Sequence, residues 1–228
     1  MALPTDFIAN LHFAPDETEK TIAKALFESR NVFSKHGLHP GMATRRAWQT
    51  GSKSIFGAWT LIQSDFAART GKQLWGLDLM VYPAPQIPAQ VLSIVVRSHP
   101  YPDSWTWLTP LIEDVCSFLG ISFACISGFM VGRGHADGSG GPPMGPELSP
   151  GKVPSILCPW MYWGRERLAS DKLTMGLKSL KAVAFRSSTS DDAGWVLQAY
   201  AGYDRKRPEQ LLAAYADAFS VEKPKWAP

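Results

Sequence analysis

The sequence predicts an α+β fold, with one domain over residues 1–228 and an antiparallel or mixed sheet that carries packed helices. Three observations predict it. Segments with the two-residue period of strands come in sequential pairs, segments with helical period stand between the pairs, and no linker divides the chain. A doubly wound parallel sheet would need strict alternation of strand and helix, which the sequence lacks.

The first elements follow from local patterns. Residues 7–13 alternate between apolar and other side chains and predict a strand. Pro15 suits the first turn of a helix that Gly37 ends, and apolar residues at 4-3-4 spacing predict a second helix over about residues 54–69. The segment 75–96 predicts a hairpin, because its Pro-rich middle excludes a helix.

The clearest helical pattern covers residues 104–119. Its apolar positions have 3-4-3-4 spacing, with Asp103 or Ser104 able to cap the start and Gly120 able to end it. These positions are Trp105, Leu108, Ile112, Val115 and Leu119. A strand over about residues 121–131 follows.

A Gly/Pro-rich loop at residues 132–151 precedes the last third of the chain. After the aromatic run at residues 160–163, the patterns predict a short helix near 165–172 and strands over about 180–187 and 195–202. A final helix begins at Pro208, and the prolines beyond it predict a frayed tail.

Composition excludes several classes of protein. A formal net charge of +3, without a clustered basic patch, argues against direct nucleic-acid binding. No stretch reaches the ~20 apolar residues of a membrane span, and the start has no signal-peptide pattern. Cys116, Cys125 and Cys158 stand among apolar neighbours and are expected to be buried, reduced thiols, which favours the cytoplasm.

Catalytic and cofactor motifs fail on spacing. Ser139 lacks the G-x-S-x-G context of a nucleophile elbow, and the loop lacks both the P-loop and the dinucleotide pattern. His135 and Asp137 could ligate a metal, but a site needs three or four ligands in fixed geometry. We therefore expect no enzyme, no cofactor and no metal. The alternative is a small hydrolase or transferase that uses residues 132–151 as a lid.

A surplus of tryptophan, nine residues in all, indicates a binding surface. Large rings adjacent in sequence must point to more than one face, and rings left outside the core would act as interface anchors. The predicted interface combines these rings with two acidic residues and three loop residues. It consists of Trp105, Trp107, Glu113, Asp114, His135, Asp137, Met144, Trp160, Tyr162 and Trp163.

Two segments carry a family resemblance. The sequence Pro-Trp-Met-Tyr-Trp-Gly-Arg-Glu-Arg-Leu at residues 159–168, with the helix that starts at Pro208, resembles immunity proteins of bacterial polymorphic-toxin and type VI secretion systems. The family most similar to it is the one paired with restriction-endonuclease-like nuclease toxins. The strand at residues 7–13 and the helix after it are compatible with that family.

The resemblance implies a cytoplasmic α+β protein that binds a cognate toxin, a nuclease in that family, and blocks it by occlusion. It implies a protein partner, and we expect no membrane, no direct nucleic acid, and a chain that is a monomer or weak homodimer. Because the chain is slightly basic, binding would depend either on shape and aromatic anchors or on local acidic patches such as residues 113–114 and 191–192. A secretion adaptor or chaperone is a further alternative.

Overall fold

The structure is a computed structural model, and its described part comprises several separate ranges. These are residues 6–14, 28, 30–40, 66–68, 77–83, 90–97, 104–129, 152–189 and 194–228.

A nine-stranded antiparallel sheet organises the described residues. The strands in chain order are β1 (Asp6–His12), β2 (Leu38–Pro40), β3 (Phe66–Ala68), β4 (Leu77–Pro83), β5 (Gln90–Arg97), β6 (Phe123–Phe129), β8 (Trp160–Trp163), β9 (Arg186–Thr189) and β10 (Trp195–Gln198). Their order across the sheet is β2-β3-β4-β5-β1-β6-β8-β10-β9. A separate parallel pair joins β7 (Ile156–Leu157) to β11 (Lys225–Trp226).

Four α-helices are described with the sheet. They are α1 (Arg30–Lys35), α2 (Ser104–Leu119), α3 (Asp171–Ser179) and α4 (Glu209–Phe219), and short 3₁₀ helices lie at Arg167–Ala169 and Leu180–Ala182. The α+β class, the antiparallel sheet and the packing of helices on it are confirmed.

Strand β8 separates two cores. Trp160 and Tyr162 belong to a buried cluster that includes the inner side of α2, whereas Met161 and Trp163 belong to a second cluster with α3 and α4. Alternate residues of a strand point to opposite faces of the sheet. The helices α1 and α2 therefore cover one face, and α3 and α4 cover the other.

The elements with strong local signals lie where the sequence predicts them. The apolar positions of α2 are buried, and Gly120 follows the helix with a φ of 63° that glycine adopts at low cost. β1, the antiparallel pair β4 and β5, and α4 are likewise confirmed. Gly37, with a φ of 73°, follows α1 as predicted.

Four local predictions are wrong. Phe66–Ala68, expected to close a helix, form β3, because pairing with β2 and β4 overrides local helical spacing. The range 165–172, expected to form one short helix, contains a 3₁₀ helix at Arg167–Ala169 and only the start of α3, and the strand expected from residue 180 begins at Arg186. The tail is not frayed, since Trp226 and Ala227 are buried and Lys225 donates its backbone N–H to the Ser155 carbonyl at 2.9 Å.

Gly164 directly follows β8 and provides a test of how closely β8 packs against residues 121–122. Its N–H donates to the Ser122 carbonyl at 2.8 Å, and a Cβ here would overlap the backbone oxygen of Ile121. We expect Gly164→Ala to lower the free energy of unfolding by about 1–3 kcal/mol, measured by urea denaturation. Gly202→Ala is the control, because a Cβ there meets nothing within 4 Å. Equal unfolding midpoints for the two variants would contradict this account.

Candidate functional site

The outer side of α2 is the candidate binding surface, and we call it the α2 face. Residues on this side fall within one arc of the helix, opposite the apolar positions that enter the core. The α2 face consists of Thr106, Trp107, Pro110, Glu113, Asp114, Ser117 and Phe118, all of them exposed or half-buried.

Asp114 contacts the end of the neighbouring helix α1. Its carboxylate oxygen lies 2.7 Å from the Nε2 atom of His36, a residue that directly follows α1. The aspartate side chain is about half exposed, at 49%. One carboxylate oxygen is thus held by the protein while the rest of the group faces solvent.

Glu113 forms an ion pair with Arg186 of β9, the edge strand of the sheet. The guanidinium of Arg186 in β9 donates from Nη1 to Oε2 at 2.7 Å and from Nη2 to Oε1 at 2.9 Å. The Nε atom of the same arginine donates to the Ser188 hydroxyl at 3.2 Å. This two-bond geometry fixes the plane of the carboxylate as well as its position.

Aromatic rings lie at both ends of the α2 face. Trp107 is half-buried and packs against the core, and Phe118 is 46% exposed. The two residues are eleven positions apart, which corresponds to roughly 16 Å along a helix. The charged pair at Glu113 and Asp114 stands between them. Three residues of the α2 face belong to the interface that the sequence predicts: Trp107, Glu113 and Asp114.

Four predicted interface rings lie in the core. Trp105, Trp160, Tyr162 and Trp163 are each no more than 3% exposed. A side chain without exposed surface offers nothing to a partner, so the prediction that these four form an exposed aromatic patch is wrong. The three rings of β8 are enclosed because helices cover both faces of this strand, and Trp105 is enclosed because it lies on the inner side of α2.

The remaining predicted interface residues, His135, Asp137 and Met144, lie outside the described residues, as does the acidic pair at residues 191–192. Sequence reasoning missed His36, Arg186 and Phe118. Each partner of an acidic residue is far from it in the chain, by 78 positions for His36 and Asp114 and by 73 for Arg186 and Glu113. Phe118 was detectable, because it breaks the polar side of the helical pattern.

His12, the last residue of β1, is a buried imidazole whose two ring nitrogens have no hydrogen-bond partner among the described residues. Its ring centroid lies 5.9 Å from that of Phe123, and the Arg167 guanidinium carbon lies 5.4 Å from the same Phe123 centroid. Burial, with a smaller effect of the Arg167 charge, lowers the pKa of His12 to about 4. His12 is therefore neutral near pH 7.

The three cysteines are buried and unpaired by disulfides, as the sequence predicts. Burial raises the pKa of Cys116 and that of Cys158 well above the ordinary value for a thiol, which keeps both thiols protonated and unreactive. Within the described ranges no three His, Cys, Asp or Glu residues come close enough to hold a metal ion. No helix among those ranges is both long and apolar enough to cross a bilayer.

Comparison with known proteins gives a likeness to solved structures. No protein-family profile matches the sequence, and a search of curated proteins finds no match. Among solved structures, the chain is similar to a T6SS (type VI secretion system) protein of Pseudomonas aeruginosa, with 15% identity and a TM-score of 0.48. The match covers 94% of this chain and 72% of that one. A likeness at this level indicates no shared function.

His12 makes stability depend on pH. Its folded pKa of about 4 lies below the 6.5 of an exposed histidine, so the unfolded chain takes up the proton first as the pH falls. The contribution of His12 to stability is complete above pH 6.5 and is lost as the pH falls towards 4. We expect a loss on the order of 3 kcal/mol over that window.

The variant His12→Leu isolates this contribution from the titration of carboxylates. Its free energy of unfolding, measured by urea denaturation between pH 4 and 7, should fall less steeply with pH than that of the unaltered chain. At pH 7 the variant should be as stable or more stable, because an apolar side chain leaves no buried nitrogen unsatisfied. Parallel pH profiles for the two proteins would rule out the buried, neutral state of His12.

The Glu113–Arg186 pair should show a measurable coupling. A double-mutant cycle with Glu113→Gln and Arg186→Gln is expected to give about 1 kcal/mol, because the pair is bidentate and partly screened from water. The matched control is the pair Glu209 and Lys223, whose side chains are both about half exposed and should couple by less. Equal coupling in the two cycles would show that the bidentate geometry adds nothing.

Proposed function

We propose that this chain is an immunity protein that binds and neutralises a cognate secreted antibacterial toxin, a nuclease by its family resemblance, by covering the toxin surface. It acts by protein–protein contact and carries out no reaction of its own. The α2 face is the observation that carries the proposal. The resemblance of residues 159–168 and of the helix after Pro208 to immunity proteins supports the same function.

The α2 face supports protein binding because its charged groups are held in place before a partner arrives. Glu113 is fixed by Arg186 and Asp114 contacts His36, so little side-chain freedom remains to be lost on association. Trp107 and Phe118 add apolar surface on either side of the charges. Aromatic side chains and charged groups of fixed geometry both contribute to specific interfaces.

The α2 face is too small to form a whole interface by itself, so neighbouring elements must contribute. A helix face roughly 16 Å long and 12 Å wide offers about 200 Å², whereas a standard interface covers about 800 Å² on each partner. The α2 face is therefore the centre of the contact, and α1 and β9 supply its flanks. His36 and Arg186 join these two flanking elements to the centre.

The charge pattern argues for recognition of specific groups instead of imitation of nucleic acid. The chain has a net charge of +3, and each carboxylate of the α2 face already contacts a nitrogen-bearing side chain. The face therefore offers a carboxylate edge next to an arginine, with one aromatic side chain toward each end of the helix. A toxin with a basic group beside an apolar hollow would match it.

Co-expression with the product of the neighbouring gene tests the proposal. We expect that product to be lethal alone and harmless with the unaltered chain. Replacing two exposed residues together, Phe118→Ala and Asp114→Arg, should remove protection and weaken binding by at least about a hundredfold, as the loss of an anchor and a reversed charge would. Binding is measured with the purified pair by calorimetry.

Asp217→Arg is the matched control, because Asp217 is an exposed acidic residue on α4, away from the α2 face. This variant should protect as well as the unaltered chain. A neighbour that is harmless alone, or that stays lethal beside the unaltered chain, would refute the proposed function. Full protection by the double variant would refute the α2 face as the contact surface.

A further inference from the structure

A groove lies on the side of the sheet opposite the α2 face. It is bounded by the start of α3, the end of α4 and residues 152–153, and it encloses about 280 Å³. The helices that form it belong to the second core, whereas α2 belongs to the first. The groove and the α2 face therefore share no residue and no supporting helix.

The floor of the groove is apolar and firmly held. Leu173 and Phe219 are each 4% exposed and belong to the second core, and Val153 packs against that core. Val221 closes one end and is 39% exposed. An exposed branched side chain beside a buried phenyl ring leaves apolar surface that a partner group could cover.

The rim of the groove is positively charged. Lys152 and Lys172 line it with Ser170, which precedes α3, and no described Asp or Glu is among the lining residues. Below the rim, the buried Arg167 donates to the Lys152 carbonyl at 2.9 Å, which fixes the backbone of this wall.

We propose that this groove binds an acidic segment of a protein partner, with one large apolar side chain on the floor and a neighbouring carboxylate at Lys152 and Lys172. Two features select this occupant. The charge of the rim is complementary to carboxylates, and the volume lies just below the range of pockets that enclose whole small ligands. A single anchoring side chain with its flanking acidic residues fits that space.

The binding site is separate from the function proposed above, so each can fail without the other. Short fluorescein-labelled peptides are the probes, with Leu or Phe flanked by Asp and Glu, and matched peptides carry Gln or Lys at the flanking positions. Fluorescence anisotropy with the full chain should show binding of the acidic peptides only, and added salt should weaken it. The double variant Lys152→Gln with Lys172→Gln should bind about tenfold more weakly.

Two controls separate a specific effect from a change in net charge or folding. The double variant Lys178→Gln with Lys206→Gln removes the same charge from exposed lysines that do not line the groove, and it should bind like the unaltered chain. Val221→Ser should weaken binding several-fold without loss of folding, because Val221 is exposed.

Several results would overturn the proposal. Equal binding of acidic, neutral and basic peptides would show that the rim does not select charge. Unchanged binding by the rim double variant would place the site elsewhere. If no acidic peptide binds, the proposal is wrong, and binding of dodecanoate in that case would identify a site for a small amphiphile.

Discussion

The burial of β8 on both faces is the constraint on which the rest of the structure depends. Its four residues, Trp160 to Trp163, lie between β6 and β10, and their side chains belong alternately to two separate cores. Rings of this size bury so much apolar surface that helices must cover each face of the sheet. The indole N–H groups of Trp160 and Trp163 have no hydrogen-bond partner in the described part of the chain, a cost that the burial of both rings outweighs.

The two candidate surfaces follow from this two-sided arrangement. On one side, the core fixes the inner face of α2, and contacts with α1 and β9 orient the carboxylates that remain outside. On the other side, α3 and α4 meet over the second core and leave the groove between their ends. A central sheet keeps the two surfaces apart, so that each can be altered without moving the other.

The sequence by itself determined the α+β class and the elements whose patterns are strong and local. The 3-4-3-4 spacing of α2 and the glycine after it are sufficient, because helix formation and termination depend on neighbours within a few residues. Local patterns also predicted β1, α4 and the burial of the three thiols. The sequence also located the acidic pair at Glu113 and Asp114 on the outer side of α2.

Only the tertiary structure decided which rings are enclosed and which charges are held. Whether Trp160 or Trp163 faces solvent depends on what covers each face of the sheet, and local periodicity carries no information on that. The contacts of Glu113 and Asp114 join residues more than seventy positions apart, and β3 exists because its neighbouring strands pair with it. Long-range pairing is set by the topology of the sheet, whereas a sequence pattern reports only the preferences of adjacent residues.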